Sequence, residues 1–167
     1  GIYDICAISF ALYPFVKDDF ALLKTAVSFG EGYGPKLIKK KGIKLKKNFK
    51  VALSGEFTTN ALLFKIAYPD ARISYMNFLD IENAVINGDV DAGVLIHESI
   101  LTYSSLLEVE REIWDIWVEL CNGEELPLPL GGMCLRRSIH LLEAIKYENA
   151  LIKAVDVANK NRKTLAP

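Results

Sequence analysis

The chain holds two histidines, and one of them sits where an imidazole could do chemistry. His97 follows the apolar run Val90-Asp91-Ala92-Gly93-Val94-Leu95-Ile96 and precedes Glu98 and Ser99. In open α/β sheets, ligands gather at the carboxyl ends of strands. An imidazole placed there titrates near neutrality and can take a proton without drastic tuning. The plainer reading makes His97 a structural hydrogen bonder at a strand end. Ser9 and the Ser54–Thr59 turn occupy strand ends of the same kind. Thr58 and Thr59 open a helix after Ser54-Gly55. Their hydroxyls either cap that helix or join its first N–H groups in binding a ligand oxygen or carboxylate. His140 opens the last helix among charged residues and reads as a surface side chain.

Other chemistries find no matching pattern. Gly30-Glu31-Gly32-Tyr33-Gly34-Pro35 has alternating glycines, but it is not G-x-G-x-x-G and a strand follows it, so it reads as a turn. No phosphate loop of the G-x-x-x-x-G-K-S/T type and no G-x-S-x-G elbow occurs. Two distant histidines lack metal-ligand spacing, so no metal is expected. Cys6, Cys121 and Cys134 are odd in number and far apart in sequence. They read as buried, reduced thiols of a cytoplasmic protein rather than a disulfide framework.

Composition narrows the classes further. A chain of 167 residues makes one ordinary domain or two small lobes. With 25% charged and 51% hydrophobic residues it is globular, not disordered. A net charge of -1 argues against a globally basic nucleic-acid binder. The apolar runs are short and broken by charges, so no membrane span is expected. Eight of the 20 basic residues fall between Lys36 and Lys50, where no acid occurs, and this stretch reads as a solvated hairpin or loop.

The elements that must position these residues alternate between strand and helix, which predicts an α/β fold. Strands are expected at 2–9, 20–27, 36–40, 49–53, 72–76, 90–96, 107–113 and 133–137. Helices are expected at 10–17, 58–68, 79–87, 114–121 and 138–160. Pro69 and Gly88 supply helix stops. The block Leu126-Pro127-Leu128-Pro129-Leu130-Gly131-Gly132 reads as a stiff-then-flexible connection. Leu141, Leu142, Ile145, Leu151, Ile152, Val155 and Ala158 predict a buried stripe on the last helix. Gly1-Ile2-Tyr3-Asp4 is echoed by Gly88-Asp89-Val90-Asp91 at the head of a second strand, which suits two similar lobes.

Several blocks, in order, resemble the 1,4-dihydroxy-6-naphthoate synthase family of menaquinone biosynthesis by the futalosine route. They are Ala7–Phe10, Gly30–Pro35, Ser54–Ala61, Val90–Tyr103 and Leu126–Gly132, and the resemblance they carry extends over nearly the whole chain. The Ile96-His97-Glu98-Ser99-x-x-Thr102-Tyr103 and Leu126–Gly131 blocks are the most specific. The resemblance implies a bilobal, type II periplasmic-binding-protein-like fold. One lobe would comprise 1–34 and 131–167, the other 35–130. It implies a lyase without metal or organic cofactor, splitting cyclic dehypoxanthinylfutalosine into 1,4-dihydroxy-6-naphthoate and dihydroxyacetone. His97 would be the general base. Ala7, Ile8, Ser9, Thr59 and Asn60 would bind the substrate, a carboxylated aromatic small molecule; no nucleic acid or membrane partner is implied.

Two positions depart from the family pattern. Some members carry Lys where Ala7 stands, and some carry Ala where Asn60 stands. Family members also begin with a strand-and-helix segment bearing a Ser-Pro-x-x-Asp block and end with further helix. Both are absent from this sequence, so the chain is expected to be truncated and, alone, inactive. Two rival readings share the fold: chorismate dehydratase of the same pathway, and a solute-binding protein that closes on its ligand without chemistry.

Overall fold

The structure is a computed structural model that describes residues 2–165. The strands are β1 (Ile5–Ser9), β2 (Phe20–Leu22), β3 (Ser28–Gly30), β4 (Lys36–Lys40), β5 (Lys50–Leu53), β6 (Arg72–Tyr75), β7 (Ala92–Leu95), β8 (Leu107–Glu112) and β9 (Leu128–Arg136). The helices are α1 (Tyr13–Val16), α2 (Thr59–Ala67), α3 (Ile81–Asn87), α4 (Ile113–Leu120), α5 (Leu141–Lys160) and α6 (Arg162–Leu165). Short 3-10 turns at Phe78–Asp80 and His97–Ile100 complete the set. Among the described residues no helix is long and apolar enough to cross a membrane. The chain forms two compact units, one from the residues up to Ser28 with those from Leu130 on, the other Phe29–Pro129.

The Phe29–Pro129 unit is built on a five-stranded mixed sheet of order β6-β5-β7-β4-β8. β6, β5 and β7 run parallel, while β4 is antiparallel to both β7 and β8. α2 links β5 to its neighbour β6, and α3 carries the chain from β6 past β5 to β7, the crossovers that parallel strands require. Successive strand residues point to opposite faces. On one face Ile38, Ala52 and Leu95 pack with Ile81, Ala84 and Val85 of α3 and with Leu107. Phe64 of α2 packs edge-on against Phe49 at 6.0 Å and stacks on Tyr68 at 4.9 Å.

The helix boundaries follow their local chemistry. Thr58 caps α2, its Oγ1 accepting from Ala61 N at 3.3 Å and donating to Gly55 O at 2.8 Å. α3 ends at Gly88 in the left-handed conformation, φ 84, where the missing Cβ removes the steric penalty. Two lysines at the head of the lysine run are paired within the sheet rather than solvated. Lys36 meets Glu112 at 3.5 Å, and Lys39 meets Glu110 at 2.6 Å and Glu108 at 3.5 Å. The hydrogen bond to Glu110 leads the effects that hold the Lys39 ammonium above its ordinary range.

The other unit centres on β9, which pairs antiparallel with β1 on one side and β2 on the other. The expected connection at 126–132 is thus mostly strand, beginning at Leu128. Gly131 and Gly132 serve close approach rather than flexibility. A Cβ on Gly131 would strike Ile8 O, and one on Gly132 would crowd the Phe10 ring and Val27. Arg136 ties β9 to the head of β1, donating from Nε to Asp4 Oδ1 at 2.8 Å and from Nη2 to Tyr3 O at 2.9 Å.

α5 starts at its cap His140, whose Nδ1 accepts from Leu142 N at 3.3 Å. The expected buried stripe is not found, because none of its residues is buried. Leu141, Leu142, Ile145 and Ile152 are exposed, and the half-buried positions are Ala144, Glu148, Leu151 and Val155. Glu148 Oε1 accepts from Lys24 N at 3.1 Å. Of the three cysteines only Cys134 is buried; Cys6 and Cys121 are half-buried free thiols.

Gly93 sets the spacing between β7 and α3, since a Cβ there would run into Ile81 and Val85. Gly93→Ala should therefore destabilise the Phe29–Pro129 unit by about 1–3 kcal/mol through overpacking. Urea unfolding followed by circular dichroism reads this as a lower midpoint; an unchanged midpoint would mean that α3 can move away freely.

Candidate functional site

Parallel pairing brings two of the sequence blocks to one edge. Val51 lies opposite Ala92 and Ala52 opposite Gly93, so β5 and β7 end together. β6 joins them, with Leu53 opposite Tyr75 and Met76 N donating to Leu53 O at 3.0 Å. Ser54 and the turn into α2 leave this edge from β5, and His97 leaves it from β7.

The α2 entrance concentrates buried polar groups. Thr59 is 7% exposed and Asn60 5%, an unusual burial for such side chains. Asn60 Nδ2 and Ser54 Oγ are buried with no hydrogen-bond partner among the described residues. Leaving a buried donor unmet costs about 1–3 kcal/mol. Two such atoms beside a helix N-terminus, where N–H groups carry partial positive charge, make a setting suited to an oxygen-rich or anionic ligand. Lys65, farther along α2, lies 3.7 Å from Glu56 of the entrance turn and 5.8 Å from the Tyr75 ring centroid. The Tyr75 hydrogen bond leads the effects that raise the Lys65 pKa.

His97 sits on unusual backbone. Its φ of 55 is left-handed, which costs an ordinary L-residue about 1–2 kcal/mol. The bend turns the chain sharply out of β7 into the 3-10 turn His97–Ile100. The imidazole is exposed, and the Phe78 ring meets it edge-on at 5.3 Å. Behind it, Glu82 Oε1 on α3 accepts from Ser104 N at 2.7 Å and pins the segment that follows. An accessible imidazole on a fixed backbone, at the same sheet edge as unmet donors, is equipped for proton transfer to or from a bound molecule.

The remaining expected residues lie in the other unit. Ala7, Ile8 and Ser9 form the end of β1 opposite Met133, Gly132 and Gly131. Ala7 is exposed, and Ser9 Oγ donates to Leu130 O at 3.2 Å. Thr59, Asn60 and His97 thus share one sheet edge, while Ala7–Ser9 form a separate set. Sequence placed Ser54 only as the start of the Ser54–Thr59 turn, without a role for its hydroxyl, and gave no signal for Phe78.

Known proteins bear on the chain as a whole. A 1,4-dihydroxy-6-naphtoate synthase from Streptomyces coelicolor is 35% identical over 165 residues, which is 95% of this chain but 57% of that relative. The chain therefore spans little more than half of that relative's length. A crystal structure of a protein from Archaeoglobus fulgidus matches with TM-score 0.89 and 34% identity, covering 96% of this chain and 60% of that one. An ancestral amino acid-binding protein, a precursor of cyclohexadienyl dehydratase, shares the fold at TM-score 0.61 and 20% identity, covering 98% of this chain and 67% of its own. The architecture is mixed α/β of the periplasmic-binding-protein-like type. All 167 residues match the sequence family described as menaquinone biosynthesis, and the chain belongs to that family.

Proposed function

We propose that this chain carries the catalytic base and substrate-binding residues of a 1,4-dihydroxy-6-naphthoate synthase. The reaction is a lyase step: cyclic dehypoxanthinylfutalosine yields 1,4-dihydroxy-6-naphthoate and dihydroxyacetone. The observation that carries this reading is the grouping of His97 with the unmet donors of Ser54 and Asn60 at one sheet edge.

The substrate joins a ketone-bearing ring to a carboxylated aromatic. Removing a proton beside a carbonyl needs a base of near-neutral pKa within hydrogen-bond reach, the role assigned to His97. Negative charge then develops on the carbonyl oxygen. Donors fixed in advance stabilise such charge without reorganising. In this reading the Asn60 amide, the Thr59 and Ser54 hydroxyls and the start of α2 serve the carboxylate or this oxygen. Loss of the three-carbon fragment leaves an aromatic ring, which draws the reaction forward.

His97→Asn separates chemistry from folding, because Asn tolerates left-handed backbone. Measured in the full-length protein by mass detection of dihydroxynaphthoate, turnover should fall about 10²–10⁴-fold. The melting temperature should stay close to wild type. Near-normal turnover would remove His97 from the mechanism. Unchanged substrate in wild type, with binding retained, would instead favour a solute-binding protein.

Ser54→Ala tests the donors from the opposite direction. Deleting a buried hydroxyl that has no partner should leave stability equal or slightly higher. KM should nevertheless rise about 5-fold or more, the worth of one lost hydrogen bond of about 1 kcal/mol. A clear drop in stability with unchanged KM would make Ser54 purely structural.

A further inference from the structure

Cys6 and Cys134 are 128 positions apart in sequence, yet their sulfurs lie 3.4 Å from each other. They are direct cross-strand partners of β1 and β9. Arg136 N donates to Asp4 O at 2.8 Å and Phe10 N to Leu130 O at 3.3 Å in the same register. Alternation along the ladder therefore places the cysteines at a hydrogen-bonded pair, where Cα atoms stand about 5.5 Å apart. That spacing lies inside the range of about 4.4–6.8 Å that a disulfide accepts. We propose that Cys6 and Cys134 form a reversible oxidation site that closes to a disulfide between β1 and β9.

The two thiols are not equivalent. Cys6 is half-buried, while Cys134 is fully buried. Burial, reinforced by the Cys6 thiol, pushes the Cys134 thiol up to about 11. Its hydrogen bond to Cys6 O, at 3.4 Å, keeps it aimed across the ladder. The first attack on an oxidant therefore falls to the accessible Cys6, and Cys134 resolves.

With a peroxide as oxidant the step balances. The Cys6 sulfur attacks one peroxide oxygen, the S–O bond forms, the O–O bond breaks, and one water leaves. Cys6 is then a sulfenic acid. The Cys134 sulfur attacks the Cys6 sulfur, the S–S bond forms, and the S–O bond breaks. The displaced hydroxide takes the Cys134 proton and leaves as a second water. Two thiols have been oxidised and one peroxide reduced. A small thiol restores the pair by attacking the accessible Cys6 sulfur. None of this depends on the reaction assigned to His97.

Cys121 shares tryptic peptide 112–136 with Cys134, so the test uses Cys121→Ser protein, folded, titrated with hydrogen peroxide. Thiols counted after denaturation should fall by two per chain. The tryptic peptide that ends at Lys17 should appear linked to peptide 112–136, lighter than their sum by the mass of two hydrogens. A reducing dithiol should restore both thiols. In the additional Cys6→Ser background, Cys134 should remain a thiol under the same treatment. Sulfinic acid at Cys6 without cross-linking would overturn the proposal, as would thiols that persist when a free cysteine is fully oxidised. Rapid oxidation of Cys134 without Cys6 would overturn the assigned order.

Discussion

The candidate site depends on the parallel pairing of β5 with β7. All four residues of β7 are buried, between β5 on one side and β4 on the other. A strand so enclosed can carry only apolar side chains, and its chemistry must wait until the strand has left the sheet. His97 is two residues beyond Leu95, at that exit. β5 meets the same constraint, with Val51, Ala52 and Leu53 fully buried and Ser54 just outside. Pairing Ala52 with Gly93 makes the two exits neighbours. The absent side chain of Gly93 completes the arrangement by letting Ile81 and Val85 close over β7. One backbone register thus fixes both the apolar core and the position of the polar groups at its rim.

That rim is held at some cost in stability. The left-handed backbone at His97 and the orphaned donors of Ser54 and Asn60 are each worth about 1–3 kcal/mol of destabilisation. A domain optimised for folding alone would place glycine or asparagine at position 97 and apolar or exposed residues at the α2 entrance. The penalties are local, and the surrounding packing over-determines the geometry that bears them. Features of that kind cluster where a molecule must be bound or transformed. They support the ligand-binding reading independently of sequence similarity.

Much of this was legible in the sequence for physical reasons. Ala92–Ile96 advertises a buried strand by an unbroken run without polar side chains, and Thr58 and Gly88 announce helix ends through capping chemistry that is local. His97 and the Ser54–Thr59 turn could be placed at strand exits from sequence alone, whereas Asn60 came only from the family resemblance. The Leu126–Gly132 block misled because prolines and glycines report backbone permission, not backbone conformation. Pro129 is tolerated as the second residue of β9, and Gly131 is needed where β1 comes too close for a side chain. Neither fact can be read without knowing which strand lies alongside. Two members of the lysine run were misread for a related reason: Lys36 and Lys39 find the acids of β8, whose adjacency is a property of the folded sheet.

α5 shows most clearly what periodicity can and cannot specify. Leu141, Ile145 and Ile152 recur at helical spacing, and that recurrence defines a face whether or not anything covers it. Burial needs a second surface. Among the described residues the surface that α5 meets is approached by Ala144, Glu148, Leu151 and Val155, a stripe rotated from the one the large apolar residues suggest. Glu148 is the telling member. A hydrophobicity pattern assigns it to solvent, yet its carboxylate accepts from Lys24 N and so marks the side of the helix that touches its own unit. The side of α5 that meets its own unit therefore joins two members of the expected stripe, Leu151 and Val155, to a carboxylate held by a directional hydrogen bond, a contact that hydrophobic periodicity cannot report.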